Sequence, residues 1–309
     1  MTDTFKSGFA AIIGRPNAGK STLLNTLTGE KIAIVSAKPQ TTRNKILGVL
    51  TGDGFQAVFI DTPGIHKPKH KLGNYMMKAA ETAAADVDCV LFIVEARDGS
   101  GIHPGDVEIA ENLAKQKVPV ILVINKIDAL SVERAHVLKL IKGYAEAFGG
   151  ILKISDFVPV SALKAVNTGE LLDTVKKYLP QGPKYFPDDT LTDQPERQIV
   201  SEMVREKALR YLNDEIPHGV GVTVDSLKKR GNKDIVDITA NIFCERETHK
   251  GIIIGKNGEM LKRIGAAARF DAERILGIPV NMQLWVKVKK DWRNSEFMLR
   301  SLGYDGRTV

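Results

Sequence analysis

Apolar residues in the first 180 positions come in short, nearly continuous runs rather than in alternation with polar ones. FAAIIG, FQAVFID, DCVLFIVEA, VPVILVINK and FVPVSAL each read as a strand buried on both faces, since a half-solvated strand would show a polar side chain at every second position. Helix-like segments lie between them: KSTLLNTLTG, YMMKAAETAAA, PGDVEIAENLAKQ, SVERAHVLKLIKGYAEAF and GELLDTVKKYL. Strand and helix in turn predict an α/β domain over residues 1–180, with a mostly parallel sheet covered by helices on both faces.

The rhythm stops in QGPKYFPDDTLTDQP, residues 181–195, where prolines and polar residues break any period and predict a linker. Residues 196–309 follow a different order: a helix over 196–213, two strands joined by GNKD, an apolar run ending at GKNG, then a helix carrying Leu261, Ile264, Ala268 and Ile275. The strand NMQLWVKVKK and a last short helix complete a smaller α+β domain. Trp285 and Trp292 are read as core residues of that domain.

With 309 residues, 43% of them hydrophobic, the chain can fill two separate cores. No apolar run approaches the ~20 residues a membrane span needs, and MTDTFKSG lacks a basic-then-apolar leader, so the expected location is the cytoplasm. Cys89 and Cys244 sit in apolar runs and are expected as buried thiols in a reducing compartment. The histidines show no spacing that would join them in a metal site. His66 and His70 flank KPK, and Pro68 opposes the helix that would bring them to one face, which leaves them as solvated loop residues. The net charge of +7 is unevenly spread: from Arg246 to Arg293 there are eleven basic residues against five acidic ones, around GKNG. A concentrated surplus of this kind suits an anionic partner.

The chemistry begins at GRPNAGKST. Gly14, Gly19, Lys20 and Ser21 fit G-x-x-x-x-G-K-[ST] between a strand and a helix, the context in which the loop Gly14, Arg15, Pro16, Asn17, Ala18, Gly19, Lys20, Ser21, Thr22 can wrap phosphates with its backbone. Lys20 would reach the β- and γ-phosphates and Ser21 would ligate magnesium. Asp61, Thr62, Pro63 and Gly64 close the strand FQAVFI, where the aspartate can hold magnesium and the Gly64 N–H can meet a γ-phosphate. Asn125, Lys126 and Asp128 close the strand VPVILVI, and a carboxylate there can accept from guanine N1–H and its exocyclic amine, donors that adenine lacks on that edge. Ser161, Ala162 and Leu163 follow the fifth strand and can offer a backbone N–H to the guanine oxygen. In this order, each at the carboxyl end of a strand, these segments predict GTP and GDP with magnesium as ligands.

A second loop, Gly255, Lys256, Asn257, Gly258, is a G-x-x-G at the end of an apolar run, followed by a helix and preceded by a hairpin. That setting is similar to a KH domain, whose loop clamps a single strand of about four nucleotides. Lys256 adds a phosphate contact, and Lys250, Lys262 and Arg263 extend the basic footprint.

Together GRPNAGKST, PQTTR, DTPG, NKID and SAL, then GIIIGKNG, WVKVKKDWR and LRSLGYD, resemble the translation-factor-like GTPases and, within them, the bacterial Era GTPases. The resemblance runs over nearly the whole chain. It implies Thr42 as the switch threonine that meets magnesium and γ-phosphate, a choice that the residues themselves leave open because Ser36 and Thr41 share the loop. It implies potassium at Asn17, beside the simpler reading that asparagine suits a tight turn. It further implies the 3′ end of 16S rRNA as partner during small ribosomal subunit assembly, some peripheral association with the inner membrane, no DNA partner and a monomer. Ile65 stands where Ras-like GTPases carry a glutamine that orients water, so intrinsic turnover is expected to be slow. Catalysis would then rest on Lys20, Thr42, Asp61, Gly64 and Asn17.

Overall fold

In the computed structural model the apolar runs of the first half become strands of one six-stranded sheet, in the order β2-β3-β1-β4-β5-β6. The structure describes residues 5–36, 38, 40–64, 70–83, 86–96, 102–130, 134–213, 216–231 and 234–304. Five strands are those expected: β1 (Lys6–Gly14), β3 (Phe55–Asp61), β4 (Cys89–Glu95), β5 (Val120–Asn125) and β6 (Asp156–Pro159), joined in parallel pairs. The sixth, β2 (Ile46–Gly52), was not expected and pairs antiparallel with β3 at the edge. ILGVLTG hides it, because two glycines interrupt the apolar run. Gly48 is there for packing: a Cβ would come within 2.5 Å of Leu24 Cδ1 and 2.8 Å of Ile32 Cδ1.

Helices α1 (Lys20–Thr28), α2 (Lys71–Ala83), α3 (Pro104–Leu113), α4 (Arg134–Phe148) and α5 (Thr168–Tyr178) fall where the helical spacing placed them. Alternate strand residues divide between two faces. Ala11, Ile13, Val90, Phe92, Val94, Leu122 and Ile124 join Ile109, Ala110 and Leu113 of α3 and Tyr144 and Phe148 of α4 in one core cluster. Helices α1 and α5 pack on β1, β3 and β6. Continuous hydrophobicity in β4 and β5 is thus the signature of strands covered on both faces.

The second unit is a three-stranded sheet, β7 (Gly221–Lys229), β8 (Val236–Cys244) and β9 (Val280–Val288), with β7 antiparallel and β9 parallel to the central β8. Helix α6 (Glu196–Tyr211) and helix α8 (Glu259–Leu276) pack on it, burying Val204, Ala208, Ile264 and Ala268 against Val222, Ala240 and Ile242. In α8 the buried residues Ile264, Ala268 and Ala272 recur every four positions, one stripe of a helix, and Gly277 ends it in a left-handed conformation. A helix α7 (Glu247–Ile254) occupies the run read as apolar, and of its residues only Ile253 is buried. Helix α9 (Glu296–Ser301) comes last.

Both cysteines are buried, as expected. The tryptophans part company. Trp292 is buried and donates its Nε1–H to Gly219 O at 2.8 Å. Trp285 is 59% exposed, so the core assignment is wrong for it. It alternates with Leu284 and Val286, which face the core, and therefore lies on the opposite face of β9.

Contacts divide the chain into Met1–Ile32, Thr42–Lys67 and Met76–Asp193 on one side, and Ala33–Thr41, Pro68–Tyr75 and Gln194–Val309 on the other. Two short stretches of the first half thus count with the second unit.

Candidate functional site

Every segment predicted to touch nucleotide lies in the first unit, at the carboxyl end of its sheet. Register pairs Ile12 with Asp61, Gly14 with Ile93, and Glu95 with Asn125, so the ends of β1, β3 and β5 lie on one edge. The loop from Gly14 to α1 is tightly built. Gly19 has φ +100°, and a Cβ on it would sit 2.2 Å from Asn125 Nδ2. Only glycine meets both demands. Asn17 is exposed in the left-handed region at φ 64°, a conformation that accounts for asparagine there without a cation.

Lys20 is buried, and its ammonium donates to Gly14 O at 3.0 Å and Arg15 O at 2.9 Å. Ser21 Oγ donates to Asp61 Oδ2 at 2.6 Å and lies 2.8 Å from Thr42 Oγ1, which in turn is 3.4 Å from Asp61 Oδ2. Thr41 behaves differently: its hydroxyl donates back into its own loop, to Lys38 O at 2.6 Å. The structure therefore brings Thr42, and not Thr41, to Ser21 and Asp61.

Burial raises the Asp61 carboxyl to about 6, against the pull of Lys20 and of the Ser21 and Thr42 hydroxyls. Burial likewise lowers Lys20 to about 8, with Asp61 opposing the shift and Arg15 adding to it. Each charge is short of compensation where it stands, which suits an anion beside Lys20 and a cation beside Asp61. Asp61 Oδ1 is buried and accepts no hydrogen bond from the described residues. Two hydroxyls and a carboxylate with a spare oxygen are the all-oxygen donor set that magnesium takes, so these residues fit that ion.

The segments expected to recognise the base are tied together by Asn125. Asn125, expected at the nucleotide, also has a buried side chain that bonds protein: Nδ2 donates to Ala18 O at 2.8 Å, and Oδ1 accepts from Ala162 N at 3.0 Å. It staples the phosphate loop to Ser161–Leu163. Thr26 adds a second staple through Ala162 O at 2.7 Å. Asp128 accepts from Ser161 Oγ at 2.5 Å, which fixes the carboxylate, and Lys126 pairs with Glu95 at 2.7 Å. Thr62 bonds Ile12 O at 2.9 Å. Pro63 is buried, while Leu163 is 77% exposed. Arg15 pairs with the buried Asp106 at 2.7 Å, and Arg43 is itself buried. Sequence reasoning missed Thr26, Glu95 and Asp106, because pairs this distant along the chain leave no local spacing. Ile65 and His66 lie outside the described residues; His70 is half-buried.

In the second unit, Gly255 follows α7 with φ 73° and ψ 174°, and a Cβ there would lie 2.7 Å from Met260 Cβ. Asn257 and Gly258 are left-handed at φ 52° and 77°, so the loop turns sharply into α8. Lys256, Asn257, Lys262 and Arg263 are exposed and Lys250 is half-buried; the Arg263 guanidinium lies 4.2 Å from the Tyr211 ring centroid.

Comparison with known proteins follows the same division. The family described as 50S ribosome-binding GTPase matches residues 9–126, and the KH domain family matches residues 215–293. The GTPase Era of Clostridioides difficile (strain 630) is 55% identical over 98% of this chain and the whole of its own. The chain belongs to the Era GTPase family. The Era of Alkaliphilus oremlandii (strain OhILAs) is 56% identical over the same shares. The crystal structure of a point variant of Aquifex aeolicus Era bound to GDP.AlF4- superposes with a TM-score of 0.92 at 42% identity, covering 97% of this chain and 99% of that one. A structure of Era with MgGDPNP and nucleotides 1506–1542 of 16S ribosomal RNA matches equally well. The protein is a GTPase with a C-terminal KH domain, and among its described residues no helix is long and apolar enough to cross a membrane.

Proposed function

We propose that this GTPase clamps the 3′ end of 16S rRNA in the loop Gly255–Gly258, and that it acts in rRNA processing and small ribosomal subunit assembly. The γ-phosphate of its nucleotide sets how tightly the RNA is held. The observation that carries the reading is the convergence of Thr42 with Ser21 and Asp61, since a loop threonine at a metal and γ-phosphate site makes loop position depend on the nucleotide. The Era complex holding both MgGDPNP and a 16S rRNA fragment supports the choice of ligands.

In this reading the backbone from Gly14 to Thr22 wraps the phosphates, Lys20 meets the β- and γ-phosphates, and Asp128 accepts from guanine. Magnesium, held by Ser21, Thr42 and Asp61, neutralises charge on the phosphate oxygens. The Gly64 N–H meets the γ-phosphate. Water attacks the γ-phosphorus as the bond to the β-phosphate oxygen breaks, giving GDP and phosphate. With isoleucine after D-x-x-G, no glutamine orients that water, and turnover is slow. Potassium at Asn17 would aid the same step; equal rates in potassium and sodium would remove it. The domain limits are 1–180 and 196–309 with a linker between, and the protein works as a cytoplasmic monomer with some peripheral attachment to the inner membrane.

RNA affinity at fixed salt tests the proposal, by anisotropy of a labelled strand from the 16S rRNA 3′ end with a nonhydrolysable GTP analogue, GDP or no nucleotide. Tightening with the analogue alone is the expected result. Equal affinity in all three states would leave an RNA-binding assembly factor that nucleotide does not gate.

A further inference from the structure

The three-stranded sheet of the second unit has two faces of different character. Met282, Leu284, Val286 and Val288 of β9 point to the helices and pack against the core. The residues between them, Asn281, Gln283, Trp285 and Lys287, point the other way and are all exposed. Trp285 stands apart among them, because a 59% exposed indole in mid-strand leaves a large aromatic surface in water. Register sets it beside Asn241 of β8, and Lys287 beside Phe243. The Phe243 end of this face is closed: a Cβ on its partner Gly221 would come within 3.0 Å of Leu302 Cδ1 and 3.3 Å of Trp292 Cη2. Around Trp285 the face is open, and its acids are engaged: Asp237 pairs with Arg230, and Asp225 accepts from Asn241 and Thr223. Lys287, and Lys289 and Lys290 just past the strand, are exposed and have no ion-pair partner among the described residues. Trp285 is also close to the Gly255–Gly258 loop. Helix α8 starts at that loop and β9 runs back beside it, so that a Cβ on Gly265 would lie 3.3 Å from Leu284 Cδ1. The seven helical residues from Gly258 to Gly265 span about 10 Å. Trp285 therefore lies round the outer edge of β9 from the loop, an edge that pairs with no other strand of the sheet.

We propose that Trp285 is a stacking platform for a base of the RNA strand held at Gly255–Gly258, with Lys287 and Lys289 on the phosphates beside it, so that the RNA runs round the edge of β9 onto the open face. This rests on the reading of that loop as the RNA clamp. The residue types fit a single strand. Every base has a π-face that an indole can stack on, and an ammonium meets a phosphate as a point charge. Gln283, next to Trp285 on the face, offers an amide donor and acceptor to a base edge. A protein-binding surface would surround the indole with further apolar side chains and few lysines, whereas its neighbours along β9 are Gln283 and Lys287.

The test uses the full chain and two strands from the 16S rRNA 3′ end, one of about four nucleotides that fills the loop alone and one of about twelve that can pass the edge of β9. Affinity and tryptophan fluorescence are read together, with thermal unfolding as control. The chain has two tryptophans and Trp292 is buried, so quenching by RNA reports on Trp285. The long strand is expected to quench and the short one not. Trp285→Ala is expected to weaken the long strand about tenfold, the scale of one base stacked on an aromatic ring, and to leave the short one unchanged. Trp285→Phe keeps an aromatic face and should recover most of the loss. Equal loss at both lengths would make Trp285 a support of the loop, and no loss with no quenching would assign the face to a partner other than RNA. Either result overturns this inference and leaves the clamp reading intact. If the unaltered chain binds neither strand, the clamp reading falls and takes this inference with it. Should the alanine variant unfold, quenching of the unaltered chain by the long strand alone decides.

Discussion

Two glycine-containing loops, each proposed to meet phosphate, are built by opposite means. In Gly14–Ser21 the backbone is enclosed: Gly19 is packed against Asn125, Lys20 is buried, and Asn125 and Thr26 tie the loop and α1 to the Ser161–Leu163 segment. In Gly255–Gly258 only the first glycine is crowded; a Cβ on Gly258 would meet nothing within 4 Å, and Lys256 and Asn257 stand in solvent. In the proposed function the first loop is a rigid wall for a small ligand, where affinity would depend on fixed geometry. The second, as an open clamp, would depend more on charge and access.

The same substitution in the two loops breaks or upholds that contrast. Gly19→Ala places a methyl on Asn125 and forces an L-residue into φ +100°, so strain and the lost Asn125 staple combine. Each contributes about 1–3 kcal/mol, and GTP and GDP affinity should fall together by about a hundredfold or more in fluorescent nucleotide titrations. Gly255→Ala comes next. Its φ and ψ are nearly glycine-only, and the methyl would press on Met260 at the start of α8, so RNA affinity should drop about tenfold while nucleotide affinity is unchanged. Gly258→Ala keeps open space around it and pays only the left-handed penalty of about 1 kcal/mol, lowering RNA affinity a few-fold. If Gly258→Ala proves as damaging as Gly19→Ala, the second loop is a closed cavity too, and the comparison collapses.

Much of this was legible before any coordinates, and the limits are physical. The five buried strands were visible because burial on both faces suppresses polar residues along the run, as in β4 and β5. β2 was not, because its packing against α1 demands a glycine, which reads as a break. α7 was missed because Ile252, Ile253 and Ile254 form a β-like run, although capping by Gly255 and its place in the fold make it helical. Trp285 was misplaced because aromatic size argues for burial, whereas the phase of the strand decides which face a residue takes. Within the site, motifs marked Lys20, Ser21, Asp61 and Asp128, since the roles expected of them follow from local spacing. Thr42 was separable from Thr41 only in three dimensions, where one hydroxyl meets Asp61 and the other meets Lys38 O. Asn125 shows another limit: its motif marked it for the ligand, and local spacing gave no sign of the hydrogen bonds by which it also joins Ala18 and Ala162.

The smallest expected effect sharpens the comparison most, because it separates charge from shape. Lys256 is exposed, and Lys256→Ala should leave folding and nucleotide affinity unchanged while weakening RNA binding a few-fold. If the lysine meets one phosphate of a single strand, the slope of log affinity against log salt should become shallower by about 0.7. Gly258→Ala, acting through backbone geometry, should weaken RNA binding to a similar degree and leave that slope alone. Two variants of equal affinity and different salt slope would show that the open loop binds by two separable terms. Equal slopes would mean that the lysine, despite its exposure, serves the shape of the loop rather than its charge.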